Sequence, residues 1–331
     1  MPKRTAKQIY NKILIAKRVL VISHQNPDGD TLGSALAMIR FLESIGKPCT
    51  SFCATEVSER MAFLPGVKKV KSNTQIFEDP DIDLIIVLDS GDLRYAGVSQ
   101  HVENMDTKPT IINIDHHPTN ERYGDINLVI PTAPSTTAIL YKFFVVNNIP
   151  IDSTIAACLL TGLVTDTGNF TNAATTPAAL KIGSQLVIRG GDLKLINEWT
   201  LKDKSVDGLK LWGTVLQRLE HHVELDIVFT FVTQEDILKH NVGETEIEGI
   251  ANFLNNLEDG RAGLILKEQN DGNIKGSFRT TRDDVDVASF ARALGGGGHQ
   301  KAAGFTVQGP TDRAISHVFE IIQKIENEII G

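Results

Sequence analysis

Three short apolar runs in the first half of this chain end the same way, and that repetition constrains the fold more than any other feature. Val19 to Ser23, Leu84 to Leu88 and Ile111 to Ile114 are almost wholly aliphatic, the pattern of strands buried on both faces. Helix-period segments lie between and after them. Leu32, Leu36, Ile39 and Leu42 fall on one helix face, and Gly46-Lys47-Pro48 closes that helix, since glycine permits a C-cap and proline stops the helix. Ser135 reads as the N-cap of an apolar segment through Val146, and Ser153 as the N-cap of one through Val164. Strands alternating with helices predict an α/β domain with a mainly parallel, doubly wound sheet.

The pattern changes near Gly190-Gly191-Asp192. Leu193 to Leu219 reads as polar-rich helix and serves as a linker, 191–221. Beyond it, Val223 to Val232 reads as a strand and Ile247 to Leu257 as a helix. Leu264–Lys267 and Ile274–Arg279 flank Asn270-Asp271-Gly272-Asn273, a hairpin signal. A helix ending in Gly295–Gly298, a strand near Phe305–Val307 and a last helix over Asp312–Ile330 complete the chain. The apolar stripe Ile315, Val318, Phe319, Ile322 and Ile329 on that helix is core packing. With 331 residues and about 150 per domain, two domains are expected: 1–190, and a smaller α/β domain over 222–331 with a mixed sheet.

In a doubly wound sheet, ligands bind outside the carboxyl ends of the strands. Each of the three strands here runs into an acidic or imidazole-bearing segment. The first leads into His24-Gln25-Asn26-Pro27-Asp28-Gly29-Asp30, the second into Asp89-Ser90-Gly91-Asp92, the third into Asp115-His116-His117. A fourth group, Thr165-Asp166-Thr167-Gly168-Asn169, ends the helix that begins near Ser153. Each alone reads as a turn or cap. Together on one edge they would repel unless protonated or neutralised by cations. Hard oxygens favour manganese or magnesium, and the histidines pull toward manganese or zinc.

Composition bounds the partners. The 41 acidic against 33 basic residues give a formal charge of −8, whereas proteins that grip long nucleic acid usually carry a basic excess. Short substrates held by local charges are expected, and no long duplex. Cys49, Cys53 and Cys158 are too few for a disulfide framework and read as buried thiols. The start of the chain lacks a signal-peptide pattern, and no apolar run reaches membrane-span length. A cytoplasmic protein with no membrane association is expected.

The four clusters, in this order, resemble the motifs of the DHH phosphoesterase superfamily. His24 through Ser34 resembles the first motif, Asp89 the second, Asp115-His116-His117 the third and Asp166 the fourth. The run Gly295-Gly296-Gly297-Gly298-His299-Gln300-Lys301-Ala302-Ala303-Gly304 looks like the signature of the first type of DHH-associated domain. The compact two-domain form is similar to the nanoRNase (NrnA-type) branch, oligoribonucleases that also act on 3′,5′-adenosine bisphosphate (pAp).

The resemblance implies two divalent metals, manganese before magnesium or cobalt. His24, Asp28 and Asp89 would hold one; Asp30, Asp89, His116 and Asp166 the other, with Asp89 bridging. Paired metals can share a hydroxide that attacks phosphorus and can stabilise the leaving oxygen. Asp115 would orient a histidine, with a strand-end cap as the plainer alternative. His117 would contact the phosphoryl group as a cation or protonate the leaving oxygen. Arg279, Gly296, Gly297, Gly298 and His299 would bind substrate phosphate across a cleft, through a guanidinium fork and close backbone approach. Ser135-Thr136-Thr137 reads as N-capping; Lys301 and Arg282 read as solvated, His221-His222 as surface.

The substrates implied are very short RNA, pAp, or linear dinucleotides such as pApA and pGpG, and a homodimer is possible. A longer-strand exonuclease resembling RecJ generally carries extra nucleic-acid-binding modules, and a membrane-anchored cyclic dinucleotide phosphodiesterase needs spans and sensory domains, neither of which is expected here. A manganese pyrophosphatase shares the metal motifs, but its second domain is of a different type without this Gly-rich signature. A non-catalytic nucleotide sensor would be signalled by a missing ligand, and every ligand position is filled.

Overall fold

The structure, a computed structural model, describes residues 1–200, 205–247 and 249–330. The chain forms two compact units, Met1–Lys202 and Asp203–Gly331.

In the first unit six strands, β1 (Arg18–Ser23), β2 (Cys49–Cys53), β3 (Val70–Lys71), β4 (Ile82–Leu88), β5 (Thr110–Asp115) and β6 (Ile126–Val129), form one sheet in the order β3-β2-β1-β4-β5-β6. Every neighbouring pair is parallel. The chain leaves β1 toward one edge, then returns to place β4 on its other side, so β1 and β4 flank the topological switch point.

Alternate side chains explain the unbroken apolar runs. Val19, Val21, Leu84, Ile86 and Leu88 enter a large core under helices Lys3–Ile15, Gly29–Ser44, Thr136–Val146 and Ser153–Asp166. Leu20, Ile22, Ile85 and Val87 enter a second, smaller core on the other face, closed by Phe77, Ala96, Val98 and Val102. The cover there is thin, a 3₁₀ turn at Thr74–Glu78 and a short helix at Ser99–Glu103.

In the second unit β7 (Glu220–His222), β8 (Ile227–Val232), β9 (Ala262–Glu268), β10 (Asn273–Arg279), β11 (Gly297–His299) and β12 (Ala302–Gln308) form a mixed sheet, β11-β12-β10-β9-β8-β7. Only β8 and β9 run parallel. Helices Val287–Ala293 and Thr311–Ile330 close one core against it, around Phe278 and Val318. Helix Val206–Gln217 contributes Leu211 and Val215 to another.

Several local expectations need correction. Helix Ser153–Asp166 is capped by Asp152, whose carboxylate accepts from Ile155 N at 2.9 Å; Ser153 is its first residue. Val223 to Val232 is not one strand. Residues 223–226 turn between β7 and β8, with Asp226 at φ 51°. Within Ile247 to Leu257 the described residues hold only a one-turn helix, Ile250–Phe253, and a 3₁₀ turn, Leu254–Asn256, with Gly249 before them at φ 93°, a conformation that a helix interior does not hold; residue 248 lies outside the described residues. Among the described residues, Leu193 to Leu219 holds two helices. Leu193–Thr200 is capped by Asp192 and stacks Trp199 on Phe63 in the first unit. Val206–Gln217 is capped by Ser205 and donates from Trp212 Nε1 to Glu246 O in the second. The part of the expected linker at 201–204 lies outside the described residues. Among those residues, no helix is long and apolar enough to cross a membrane.

Candidate metal centre and phosphate-binding row

Each strand that borders the switch point delivers its acidic or imidazole residues at its carboxyl end. β1 delivers His24. Its Nδ1 faces the Gln25 carbonyl at 2.8 Å. A carbonyl only accepts, so Nδ1 carries a proton and Nε2 is the nitrogen turned toward the carboxylates. That Nε2 lies 3.8 Å from Asp28 Oδ1 and 3.7 Å from Asp89 Oδ2. Asp28 caps helix Gly29–Ser44, accepting from Asp30 N and Thr31 N, both at 3.0 Å. Asp89 directly follows β4 in the left-handed region at φ 59°, a conformation that costs a non-glycine residue energy and clusters at functional sites.

β5 delivers Asp115, His116 and His117. The His116 Nδ1 points at the Ala133 carbonyl, 3.4 Å away, and its Nε2 lies 3.3 Å from Asp166 Oδ2 and 3.6 Å from Asp89 Oδ1. Asp115 is fully buried. Its Oδ1 accepts from His116 N at 2.7 Å and meets His117 Nδ1 at 2.8 Å, while Asn120 Nδ2 donates to Oδ2 at 2.6 Å. Asp115 therefore fixes the orientation of His117.

Asp30 and Asp166 come from helices. The start of helix Thr136–Val146 grips Asp30: Thr136 N donates to Oδ2 at 2.6 Å, and Thr137 N and Oγ1 donate to Oδ1 at 2.9 and 2.7 Å. Thr136 Oγ1 donates to Asp89 Oδ1 at 2.9 Å. Ser135 is the N-cap, accepting from Ala138 N. The capping triplet thus also holds two of the carboxylates. Gly162, one turn before Asp166, is there because a Cβ would come within 2.5 Å of Asp30 Oδ1 and of Thr137 Cγ2.

The donor atoms converge in three groups, each with its atoms within 4.8 Å of one another: His24, Asp28, Asp89; Asp30, His116, Asp166; and Asp89, His116, His117. Asp89 and His116 each belong to two. Burial and like charge act together on these carboxylates. Burial, then the charges of Asp89 and Asp28, push Asp30 well above the usual carboxylate range. Burial, then Asp30 and Asp89, do the same to Asp166. Burial works against charge on Asp89 too, but the hydrogen bond from His24 and the charges of His116 and His117 outweigh it and hold Asp89 at about 2. Burial opposes charge on His117, yet Asp115 and Asp89 raise it to about 9. A crowd of this kind ionises fully only when more positive charge joins it. Oxygen donors mixed with imidazole suit first-row divalent cations, so the residues fit such ions.

In the second unit, Arg279, Ala302 and His299 are neighbours in one row, from the pairings Arg279↔Ala302 and His299↔Ala302. Directly opposed residues share a sheet face, so the guanidinium and the imidazole flank a small alanine. Arg279 is steadied by Asn252 Oδ1 on Nε and by the Phe278 carbonyl on Nη1, both at 2.8 Å. Among the described residues no carboxylate pairs with it. The glycine run is not a simple loop. Gly297–His299 is strand β11, an exposed edge. A Cβ on Gly296 would lie 2.1 Å from Gly304 O, and Gly298 has φ 143° with Ala302 O at 2.6 Å from its Cβ position. Those two glycines let the strands close; Gly297 has nothing within 4 Å and leaves open space.

A parallel sheet with this cluster at its switch point defines the class: the chain belongs to the DHH family. Residues 18–163 match the DHH family N-terminal domain and residues 226–329 the DHHA1 domain. Among its relatives is the bifunctional oligoribonuclease and PAP phosphatase NrnA of Thermus thermophilus, 30% identical over 308 residues spanning 92% of this chain and 89% of that one. The protein of the same name from Bacillus subtilis is 24% identical over 310 residues, 91% and 92% of the two chains. An exopolyphosphatase-related protein from Bacteroides fragilis shares the fold, with a TM-score of 0.90 at 24% identity over 99% of this chain and 98% of that chain.

Thr136, Thr137, Asn120 and Tyr95 stand at the centre without being among the expected site residues. The run Ser135-Thr136-Thr137 carries a signal, three hydroxyls at a helix start, but capping alone accounts for it in the sequence. Asn120 and Tyr95 carry none.

Proposed function

We propose that this chain is a metal-dependent phosphoesterase acting on very short RNA and on small nucleotides such as pAp. The observation that carries the reading is Asp89, a buried carboxylate placed between the His24–Asp28 group and the His116 groups. The named activities of the Thermus and Bacillus relatives support it. His24, Asp28 and Asp89 would hold one divalent ion, and Asp30, Asp89, His116 and Asp166 a second. Manganese suits the mixed oxygen and nitrogen donors best, with magnesium or cobalt as substitutes. Bound there, such ions supply the Lewis acidity that makes water a nucleophile at neutral pH and offsets charge on phosphoryl oxygens.

The chain's own groups do the rest. Asp115 accepts the Nδ1 proton of His117 and holds that ring in place. His117 then stabilises charge on the phosphoryl group or donates a proton to the leaving oxygen. Arg279 and His299, in one row with open space at Gly297, bind substrate phosphate through charge-assisted hydrogen bonds. The acidic overall balance fits short substrates in the cytoplasm.

The test is a substrate panel on EDTA-stripped protein: pAp, pApA, pGpG, RNA of increasing length and pyrophosphate, each with manganese, magnesium or cobalt restored. Hydrolysis of pAp or dinucleotides that needs added metal is expected, with rates falling as RNA lengthens. Full activity without metal, or turnover of pyrophosphate alone, would sink the reading.

A further inference from the structure

We propose that Tyr95 sets substrate preference by stacking on the nucleobase of the nucleotide whose phosphoester sits at the carboxylate–histidine centre. The inference rests on the nucleotide-hydrolase reading above.

Tyr95 lies beyond Asp89 in the loop after β4. Asp92 Oδ1 accepts its N–H at 2.7 Å, and the carbonyls of Asp92 and Arg94 accept from Ala96 N and Gly97 N at 3.2 and 2.9 Å. That turn fixes the backbone before any substrate arrives. Leu93 and Ala96 on either side are anchored in the smaller core, and Tyr95 is not part of it. Its ring lies 5.0 Å from the ring of His24, tilted by 41°. Burial, then the charges of Asp28 and Asp89, raise the pKa of its hydroxyl, which places it in the field of those carboxylates.

Even so, Tyr95 is 50% exposed. Of the other strongly exposed aromatics among the described residues, Trp199 stacks on Phe63 and Phe253 meets Trp212 edge to face. Tyr95 alone combines such exposure with ring contact to a histidine of the centre. A rigid aromatic beside a phosphoester site offers a platform to any base, because every base has a π face. It therefore favours base-bearing substrates over bare phosphoesters without choosing among bases. Bases inside a duplex are already stacked and cannot reach it, whereas a mononucleotide or dinucleotide presents a free face.

The experiment compares KM for pAp with KM for the same ribose bisphosphate lacking its base, in wild type, Tyr95→Ala and Tyr95→Phe. Tyr95→Ala should weaken the preference for pAp about tenfold, and Tyr95→Phe should keep it. Equal losses on both substrates in Tyr95→Ala would assign the ring to supporting His24 instead. A phenylalanine variant as impaired as alanine would assign the effect to the hydroxyl. Either result overturns the stacking role. Unchanged preference in Tyr95→Ala overturns this inference alone. A wild-type protein that hydrolyses neither pAp nor dinucleotides overturns the hydrolase reading with it.

Discussion

At the scale of single residues the centre depends on side chains that hold its carboxylates and imidazoles in place. Thr136 reaches two carboxylates, Asp30 through its backbone N–H and Asp89 through its hydroxyl. Thr136→Val keeps the shape but removes the hydroxyl, so Asp89 loses a buried donor. Manganese affinity measured by calorimetry should fall about 10–100-fold, and Thr136→Ser should restore it. His117→Ala tests a different division of labour. It should lower kcat by about 10²–10⁴-fold while calorimetry still finds both ions; loss of an ion would make His117 a ligand. The run Asp115-His116-His117 is legible as special from its composition alone. That Asp115 serves His117 is not, because the 2.8 Å contact depends on how the chain turns after β5.

At the scale of elements, caps and ion pairs fix where helices begin. In the second unit Thr233 and Asp236 form a capping box at helix Gln234–His240. Arg218 clasps Asp236 with Nη1 at 2.5 Å and Nη2 at 2.7 Å. Burial opposes the charge on Asp236, but Arg218 and Thr233 outweigh it and hold the group at about 2. The folded pKa thus lies below the ordinary value of about 3.9, so this stabilisation is complete above about pH 4. It is lost as pH falls toward 2. Asp236→Asn should lower the stability of this unit at pH 7 by about 1–2 kcal/mol, allowing for screening. The gap to wild type should close between pH 4 and 2 in urea titrations. Elements with strong local signals, such as β1, β4 and the hairpin β9–β10, stand clear in the sequence. The turn at 223–226 does not, because Val223 and Leu225 continue the alternating pattern of a strand. Gly249 is a breaker by type, but an isolated glycine is tolerated in a helix and its left-handed conformation is fixed only by the fold.

At the scale of the whole molecule, the candidate metal ligands lie in the first unit and the proposed phosphate-binding row in the second. Chemistry and substrate grip should then separate in kinetics. Arg279→Ala should raise KM for pAp by about 10–100-fold, the cost of a lost charge-assisted pair. Manganese binding should be unchanged by calorimetry. A fall in metal affinity would show that Arg279 supports the metal centre.

The sequence by itself determined the two-sided burial of the parallel strands and the residue types at their carboxyl ends, because strand periodicity and turn chemistry are local. It also marked the glycine run near His299. Only the tertiary structure decided which groups meet. Asp30 and Asp89 are joined by a helix that begins at Thr136, 47 residues after Asp89. Arg279 and His299 are aligned by the registers of two separate strand pairings. Tyr95 reaches His24 because β1 and β4 are neighbours in the sheet. Such contacts arise from packing between segments far apart in the chain, and local pattern does not encode them.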